Sequence, residues 1–212
     1  VSPFGNSMGD HMPSIKIRRA KVRDCIDWMK TLHEGQERKN SKAPYYTHPL
    51  RILELMEESP FFFTDDDKCA ALLHDVKEDS PNFSWDEIVT RYGRNVAGSV
   101  ALLSKSKIGE RSPEVYFTML SLAHPRVVAI KLIDRLHNTM DFNIVGDPDW
   151  LLKYATETIE LVCPLIQIMV SRGKGVSGGF YDLGVWIEDR LQRNIHGMIT
   201  RAAELRMLDT PA

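Results

Sequence analysis

Apolar residues recur every three or four positions along most of the chain, which is the spacing of one face of an α-helix. Turn residues, prolines and capping residues separate the apolar segments. These signals predict helices over residues 14–33, 47–56, 65–77, 84–93, 96–103, 112–120, 125–142, 147–170 and 181–208. No alternating strand pattern, internal repeat or low-complexity tract interrupts them. We therefore predict an all-α single domain over residues 14–208, preceded at 1–13 by a disordered leader or cloning remnant.

The central predicted helix carries an unusual density of ionisable groups. Residues 70–80 read AALLHDVKEDS, with His74 and Asp75 adjacent and Glu78 and Asp79 one turn later. On a continuous helix a step of four returns to the same face, so His74 would lie above Glu78 and Asp75 above Asp79. Carboxylates packed beside an imidazole repel one another unless protons or a cation lie between them. A divalent cation suits these residue types, and the alternative is a solvated acidic face beside one core histidine.

Two more residues with the same chemistry lie elsewhere in the chain. His48 stands at a loop-to-helix junction, where a packed or capping histidine is the alternative to a metal ligand. Asp134 lies in the apolar helix VVAIKLIDRLHN, and a buried aspartate is unfavourable unless it is paired or bound to a metal. Arg135 is a candidate salt-bridge partner for it, and Asn138, four residues on, shares its helix face. His, His-Asp and Asp follow one another in this order on separate predicted helices. The complete order is much less frequent by chance than any one of these residues or pairs alone.

That order is the signature of the metal-dependent HD phosphohydrolase superfamily, which this chain resembles. The resemblance is narrowed to the hydrolase domain of the RelA/SpoT family by HEGQERKNSKAPYYTHPLRI (33–52), ALLHDVKEDS (71–80) and PRVVAIKLIDRLHN (125–138). Residues 155–167, ATETIELVCPLIQ, resemble a later helix of the same domain. The similarity extends over residues 14–205 and leaves no sequence for a synthetase or regulatory domain. The expectation is a stand-alone small alarmone hydrolase, an all-α HD domain with a central metal site.

The resemblance implies a metal centre and a reaction. The family's metal ligands are matched by His48, His74, Asp75 and Asp134. The family metal is usually Mn²⁺, and four protein ligands leave room in a six-coordinate shell for water and a substrate oxygen. Glu78 and Asp79 match the pair that orients or deprotonates the attacking water. The implied reaction is hydrolysis of (p)ppGpp next to the ribose 3′ oxygen, which releases pyrophosphate and leaves GDP or GTP.

The resemblance also implies contacts to the guanine nucleotide. Arg38 and Lys39 match an Arg-Lys pair near the nucleotide, since a guanidinium can stack on a base and an ammonium can contact phosphate. A solvated pair of loop charges is the alternative. Asn138 matches a residue near the ribose of the substrate.

Three further candidates for substrate contact each have an alternative role. Lys131 and Arg135 lie near the same helix end, where they either contact phosphate or neutralise the acidic cluster. Tyr116 falls where the family often has an aromatic residue facing the nucleotide, and packing in the core is its alternative.

The chain departs from the family pattern at three positions. Asp141 stands where long family members have Thr, which favours the small hydrolases and leaves the ribose contacts open. Met140 stands where Arg is common, so one candidate phosphate partner is absent. Lys77 replaces an apolar residue between the acidic pairs, where it either lies outside the pocket or lowers nearby carboxylate pKa values.

Composition narrows the class of protein. The 27 Lys and Arg residues nearly balance 29 Asp and Glu, for a net charge of −2, which argues against a broad nucleic-acid-binding surface. Three widely separated cysteines indicate no disulfide framework. No apolar run approaches the length of a membrane span, and the N-terminus lacks a signal-peptide layout. We expect a cytoplasmic protein without nucleic-acid or membrane partners, and a homo-oligomer is compatible with the sequence.

Two other functions stay open at this point. The same site could remove a phosphate from another nucleotide, such as the 2′-phosphate of NADPH. The chain could also be a non-catalytic nucleotide-binding regulator, although the complete set of ligands together with the Glu-Asp pair argues against it. A purely structural metal site is the least favoured, since unassigned carboxylates and the Arg-Lys loop indicate an open site. The basic segment 104–111 is a candidate mobile loop beside the pocket.

Overall fold

The computed structural model describes residues 20–39, 41–80, 83–104, 112–175 and 179–208. Within these ranges the regular structure is helical and no strand forms, which confirms the all-α prediction. The helices are α1 (Ala20–Leu32), α2 (Thr47–Glu58), α3 (Asp65–Leu72), α4 (Val76–Asp79), α5 (Trp85–Tyr92), α6 (Arg94–Leu103), α7 (Pro113–Ser121), α8 (Pro125–Asn138), α9 (Pro148–Glu157), α10 (Cys163–Gly173) and α11 (Phe180–Leu208). The predicted leader at 1–13 and most of the basic segment 104–111 lie outside the described residues.

Helices α3 and α8 form the centre of the molecule. Helix α3 packs against α1, α2, α6 and α8, and α8 also packs against α2, α6, α7, α10 and α11. Every residue of α8 is buried except Arg126 and Asn138, so even its charged side chains lie inside the protein. Among the described residues, no helix combines the length and the apolar character that a membrane span requires.

Local capping bonds form at several helix starts, and those at Ser84 and Ser112 are the ones that the sequence predicts. Thr64 and Asp67 form a reciprocal capping box at the start of α3. Ser84 accepts a hydrogen bond from the N–H of Glu87 at the start of α5, and Ser112 accepts one from Val115 at the start of α7. These bonds satisfy N–H groups that have no acceptor within the helix.

The single central helix predicted over residues 65–77 is wrong, because α3 ends at Leu72 and a turn separates it from α4. The imidazole Nδ1 of His74 lies 2.8 Å from the carbonyl oxygen of Ala71, the acceptor that a continuous helix would give to the N–H of Asp75. The carbonyl of His74 in turn accepts a hydrogen bond from Ser104 Oγ at 3.1 Å. Side-chain bonds thus replace helical ones, so His74 in the turn and Glu78 in α4 do not belong to one continuous helix.

Helix α8 is shorter than the predicted 125–142. It ends at Asn138, and a short 3₁₀ turn follows over Phe142–Ile144. Gly197 in α11 lies directly against the ring of Phe142, and a Cβ at that glycine would clash with the ring. The glycine therefore lets the chain after α8 pack closely on α11.

The predicted helix over 147–170 contains a π-helical segment, Thr158–Val162, between α9 and α10. Buried Arg135 of α8 donates a hydrogen bond to Thr158 Oγ1 at 3.2 Å inside that segment. The wider π-helical turn lies where Arg135 of α8 contacts this segment.

Candidate metal centre and adjoining cavity

Three buried side chains from three elements converge at the centre of the protein. His48 comes from α2, His74 from the turn after α3, and Asp134 from α8. One nitrogen or oxygen atom of each lies within 4.8 Å of those of the other two. The separations of Asp134 Oδ1 from His48 Nε2 and His74 Nε2 are 3.2 and 3.6 Å. The structure thus brings together residues that are far apart in the sequence.

Asp75 adds a carboxylate at the edge of this cluster. Its Oδ2 lies 2.8 Å from His74 Nε2 and 3.6 Å from His48 Nε2. The hydroxyl of Tyr45 donates a hydrogen bond to the same oxygen at 2.5 Å. Asp75 is more exposed than the other three residues, so the cluster opens to the surface on its side.

The arrangement fits a divalent cation. His74 Nε2 is buried and has no hydrogen-bond partner in the described part of the chain, although Asp75 Oδ2 is close. Proximity without hydrogen-bond alignment is what two ligands of one ion would have. Imidazole nitrogens together with carboxylate oxygens suit several first-row divalent metals. The site is therefore suited to a divalent metal, with His48, His74, Asp134 and Asp75 as the residues that could hold it.

Hydrogen bonds orient both imidazoles. The Nδ1 of His74 donates to the carbonyl of Ala71, which turns Nε2 toward the cluster. The Nδ1 of His48 lies 2.6 Å from the Nδ1 of His137, a buried residue of α8 that the sequence reasoning missed. Its position three residues after Asp134, on the same helix face, was the available signal.

The charges of the cluster compensate one another. Burial alone would lower the pKa of His74, but Asp75 and Asp134 outweigh it and raise that pKa to about 10. Burial alone would raise the pKa of Asp134, but Lys131 and the two histidines hold it well below its usual range. Against burial, His74 likewise lowers the pKa of Asp75. Both carboxylates are therefore held in the anionic form that binds a cation, whereas a metal bound by His74 would have to displace the proton that this raised pKa keeps on its imidazole.

Lys131 and Tyr116 lie on the inner side of the cluster. Lys131 Nζ is 2.7 Å from Asp134 Oδ2 and 5.6 Å from the centre of the Tyr116 ring. The Tyr116 hydroxyl donates to the carbonyl of Leu103 at 2.7 Å. Both residues are buried. Their contacts match the neutralising role of Lys131 and the core role of Tyr116 among the alternatives stated above.

Arg135, unlike Lys131, has its ion-pair partner outside the cluster. It forms an ion pair with Glu157, and its guanidinium lies 4.2 Å from the centre of the Tyr154 ring. Tyr154 stacks on Trp150, with ring centres 4.8 Å apart and planes 11° from parallel. Asp147 fixes the start of α9 by accepting hydrogen bonds from two N–H groups, including that of Trp150. Arg135 therefore supports an aromatic wall.

A cavity of about 640 Å³ lies outside the cluster, with Asp75 in its lining. Its polar lining includes Arg38, Lys39, Glu78 and Asn138. Its apolar lining is formed by Phe142, Ile144, Val145, Trp150, Tyr154 and Met198. The combination of charged groups and stacked aromatic rings in one cavity suits a phosphorylated ligand with a planar ring.

Arg38 and Asn138 link the rim of this cavity to the cluster. A guanidinium nitrogen of Arg38 lies 3.5 Å from Asn138 Oδ1 and 3.7 Å from Asp141 Oδ2. The amide nitrogen of Asn138 donates to Asp134 Oδ1 at 2.7 Å. Asp141, one of the departures from the family pattern, is thus a partner of the predicted nucleotide-binding arginine.

The predicted catalytic pair is placed only in part. Glu78 lines the cavity, as does Asp75. The backbone of Asp79 ends α4, and its side chain lies outside the described part of the structure. Lys77 is not among the cavity-lining residues, and its Nζ lies 5.6 Å from the centre of the Trp85 ring. Its contact matches a position outside the pocket.

Comparison with known proteins agrees with this geometry. The family profile described as HD domain matches residues 25–165. A guanosine-3′,5′-bis(diphosphate) 3′-pyrophosphohydrolase of Haemophilus influenzae is 36% identical over 141 residues, which are 63% of this chain and 20% of that protein. The bifunctional (p)ppGpp synthase/hydrolase SpoT of Escherichia coli K12 is 31% identical over 163 residues, 73% of this chain and 22% of that protein.

A solved structure, described as a metazoan ortholog of SpoT that hydrolyzes ppGpp, has the same fold with a TM-score of 0.65. It is 21% identical in sequence, and the match covers 84% of this chain and 98% of that one. The chain spans about a fifth of the length of the two curated relatives named above. The resemblance to HD proteins and to (p)ppGpp hydrolases that the sequence indicates is confirmed. Since the profile covers well over half of the sequence, the chain belongs to the HD domain family.

Proposed function

We propose that the chain is a Mn²⁺-dependent hydrolase of (p)ppGpp that releases pyrophosphate and leaves GDP or GTP. The observation that carries the proposal is a buried His48, His74 and Asp134 cluster that opens, through Asp75, on a cavity lined by charged and aromatic side chains. The names of the relatives supply the substrate class. A divalent cation bound there would lower the pKa of water and stabilise negative charge that develops on phosphate.

Glu78 is the residue that we propose to hold and move the proton of the attacking water. It lines the cavity beside Asp75, close to the edge where the cluster is accessible. A carboxylate in that place can accept the proton while Asp75 and Asp134 stay committed as ligands. Asp79, its neighbour in α4, completes the pair that the family resemblance implies.

Arg38, Lys39 and Asn138, which line the cavity, are proposed to contact the nucleotide. The guanidinium and ammonium groups of the first two can pair with phosphate oxygens. The stacked rings of Trp150 and Tyr154 in the same lining offer a platform for the base.

Lys131, Arg135 and Tyr116 were candidates for direct substrate contact, and we propose indirect roles for them. Lys131 would balance the charge of Asp134, and Arg135 would hold the aromatic wall in place. Tyr116 would pack beneath the cluster, where its hydroxyl is already engaged by a backbone carbonyl.

Product analysis tests the reaction. The purified chain is stripped with chelator and incubated with ppGpp, with and without Mn²⁺, Mg²⁺ or Zn²⁺. We expect GDP and pyrophosphate in equal amounts, with Mn²⁺ the most effective metal. A protein that binds Mn²⁺ but leaves ppGpp intact would contradict the proposal. Release of inorganic phosphate from NADPH in the same assay would move the substrate to that nucleotide, and tight ppGpp binding without turnover would indicate a regulator.

Substitution of Glu78 tests the proton-transfer role separately. In Glu78→Gln we expect kcat to fall about 10²–10⁴-fold, because the amide cannot accept the proton, while Mn²⁺ affinity stays close to wild type. Glu160→Gln, which alters an exposed carboxylate outside the cavity lining, is the matched control. An unchanged kcat in Glu78→Gln would exclude Glu78 from proton transfer.

A further inference from the structure

The two histidines of the cluster are oriented by different kinds of partner. The Nδ1 of His74 faces the backbone carbonyl of Ala71, which can only accept a hydrogen bond. The Nδ1 of His48 faces the Nδ1 of His137 at 2.6 Å, and either ring can be the donor. The backbone therefore fixes the proton of His74, whereas a side chain controls that of His48.

A bound cation would determine which imidazole, that of His48 or that of His137, donates the hydrogen bond between them. His48 Nε2 lies 3.2 Å from Asp134 Oδ1 and points into the cluster, so it must offer its lone pair to a metal. In a neutral imidazole the proton is then on Nδ1, and His48 becomes the donor to His137. His137 must accept at Nδ1 and carry its own proton on Nε2.

We propose that His137 is a positioning residue that holds His48 in the tautomer able to ligate the metal. This inference rests on the divalent-metal part of the proposed function. The rings of His48 and His137 are both buried, with centres 4.8 Å apart. Without an acceptor at position 137, metal binding would leave the Nδ1–H of His48 buried and facing an empty or apolar position.

The placement of His137 also couples two helices. Asp134 and His137 lie three residues apart on α8, on the face toward α2. Helix α8 thus supplies one ligand directly and fixes the ring of a ligand on α2 through the other residue. The two helices must keep their relative position for the cluster to bind a cation.

The test compares three side chains at position 137 in the full chain. His137→Asn keeps a carbonyl oxygen near the place of Nδ1, while His137→Leu is similar in size and has no acceptor. We expect His137→Leu to bind Mn²⁺ about 10–100-fold more weakly by calorimetry, and His137→Asn to stay near wild type. Circular dichroism of the metal-free variants verifies that both are folded. Equal Mn²⁺ affinity in His137→Leu and wild type would overturn the inference.

Nitrogen-15 NMR of the wild-type protein loaded with diamagnetic Zn²⁺ gives a second readout that needs no variant. We expect the shared proton on Nδ1 of His48 and the other proton on Nε2 of His137. A proton on Nδ1 of His137 would overturn the inference. A wild-type chain that binds Mn²⁺ without hydrolysing ppGpp, combined with weak binding by His137→Leu, would refute only the proposed reaction. A wild-type chain that binds no Mn²⁺ would refute both.

Discussion

Asp134 and Asp141 lie seven residues apart, yet they sit in two different electrostatic environments. The side chain of Asp134 is 5% exposed and 2.7 Å from Lys131, whereas that of Asp141 is 50% exposed and 3.7 Å from Arg38. Charges in the first environment interact strongly because little water lies between them, and charges in the second are screened. The inner cluster is therefore suited to bind a cation, and the proposed role of the outer cavity is to hold the nucleotide.

Among the substitutions that compare the two regions, the largest effect is expected from removing charge at their junction. Asp75→Asn keeps the size of the side chain but replaces the charged carboxylate of a proposed metal ligand with a neutral amide. The hydroxyl of Tyr45, which donates a hydrogen bond to Asp75 Oδ2, is also better matched to a carboxylate than to an amide. We expect hydrolysis of ppGpp to fall by about 10²–10³-fold or more, together with Mn²⁺ affinity, in steady-state and calorimetric measurements.

The control for this substitution is Asp182→Asn, an exposed carboxylate at the start of α11. It should change neither quantity. Full activity in Asp75→Asn would show that the inner region does not include Asp75.

The inner region could be predicted because two signals in the sequence agree. An aspartate among the buried positions of α8 needs a partner, and the resemblance to the RelA/SpoT hydrolase domain implies His48, His74 and Asp75 as the residues that would share a cation with it. What could not be predicted is the local geometry of the central turn. The bond from Ser104 to the carbonyl of His74 is a tertiary contact, and helical periodicity carries no information about it.

The supporting residues were harder to predict for the same reason. His137 contacts His48, which is 89 positions away, so its role depends on how α2 and α8 pack. Lys131 and Arg135 lie near the same end of α8. Lys131 forms an ion pair with Asp134, whereas Arg135 forms one with Glu157. Sequence spacing indicated that both residues lie close to the site. Only the tertiary structure shows that their side chains contact different partners.

An intermediate effect is expected from Lys131→Met, which tests whether the inner charges compensate one another. Loss of the ammonium leaves Asp134 buried with one partner fewer, so the free energy of unfolding should fall by about 3–5 kcal/mol in chelator. Saturating Mn²⁺ should reduce the loss, because the cation supplies positive charge beside the same carboxylate. Denaturant unfolding with and without Mn²⁺ measures both values.

Lys153→Met, on the exposed face of α9, controls for the change in composition. It should alter unfolding little under either condition. If Lys131→Met were destabilised equally with and without Mn²⁺, the ammonium would stabilise the fold without sharing the charge of the metal centre.

The smallest effect is expected in the outer region, from Arg38→Ala. Its guanidinium contacts Asn138 and Asp141 at 3.5 and 3.7 Å, and the proposed role is to pair with phosphate, so KM for ppGpp should rise about tenfold or more. The rise should shrink as salt is added, because the interaction is partly exposed to water. Mn²⁺ affinity should stay near wild type, since the contact of Arg38 with Asp134 runs through Asn138.

Lys153→Ala is the charge-matched control, and it should leave KM unchanged. If Arg38→Ala weakened Mn²⁺ binding as strongly as Asp75→Asn does, the inner cluster and the outer cavity would have to be treated as one electrostatic unit.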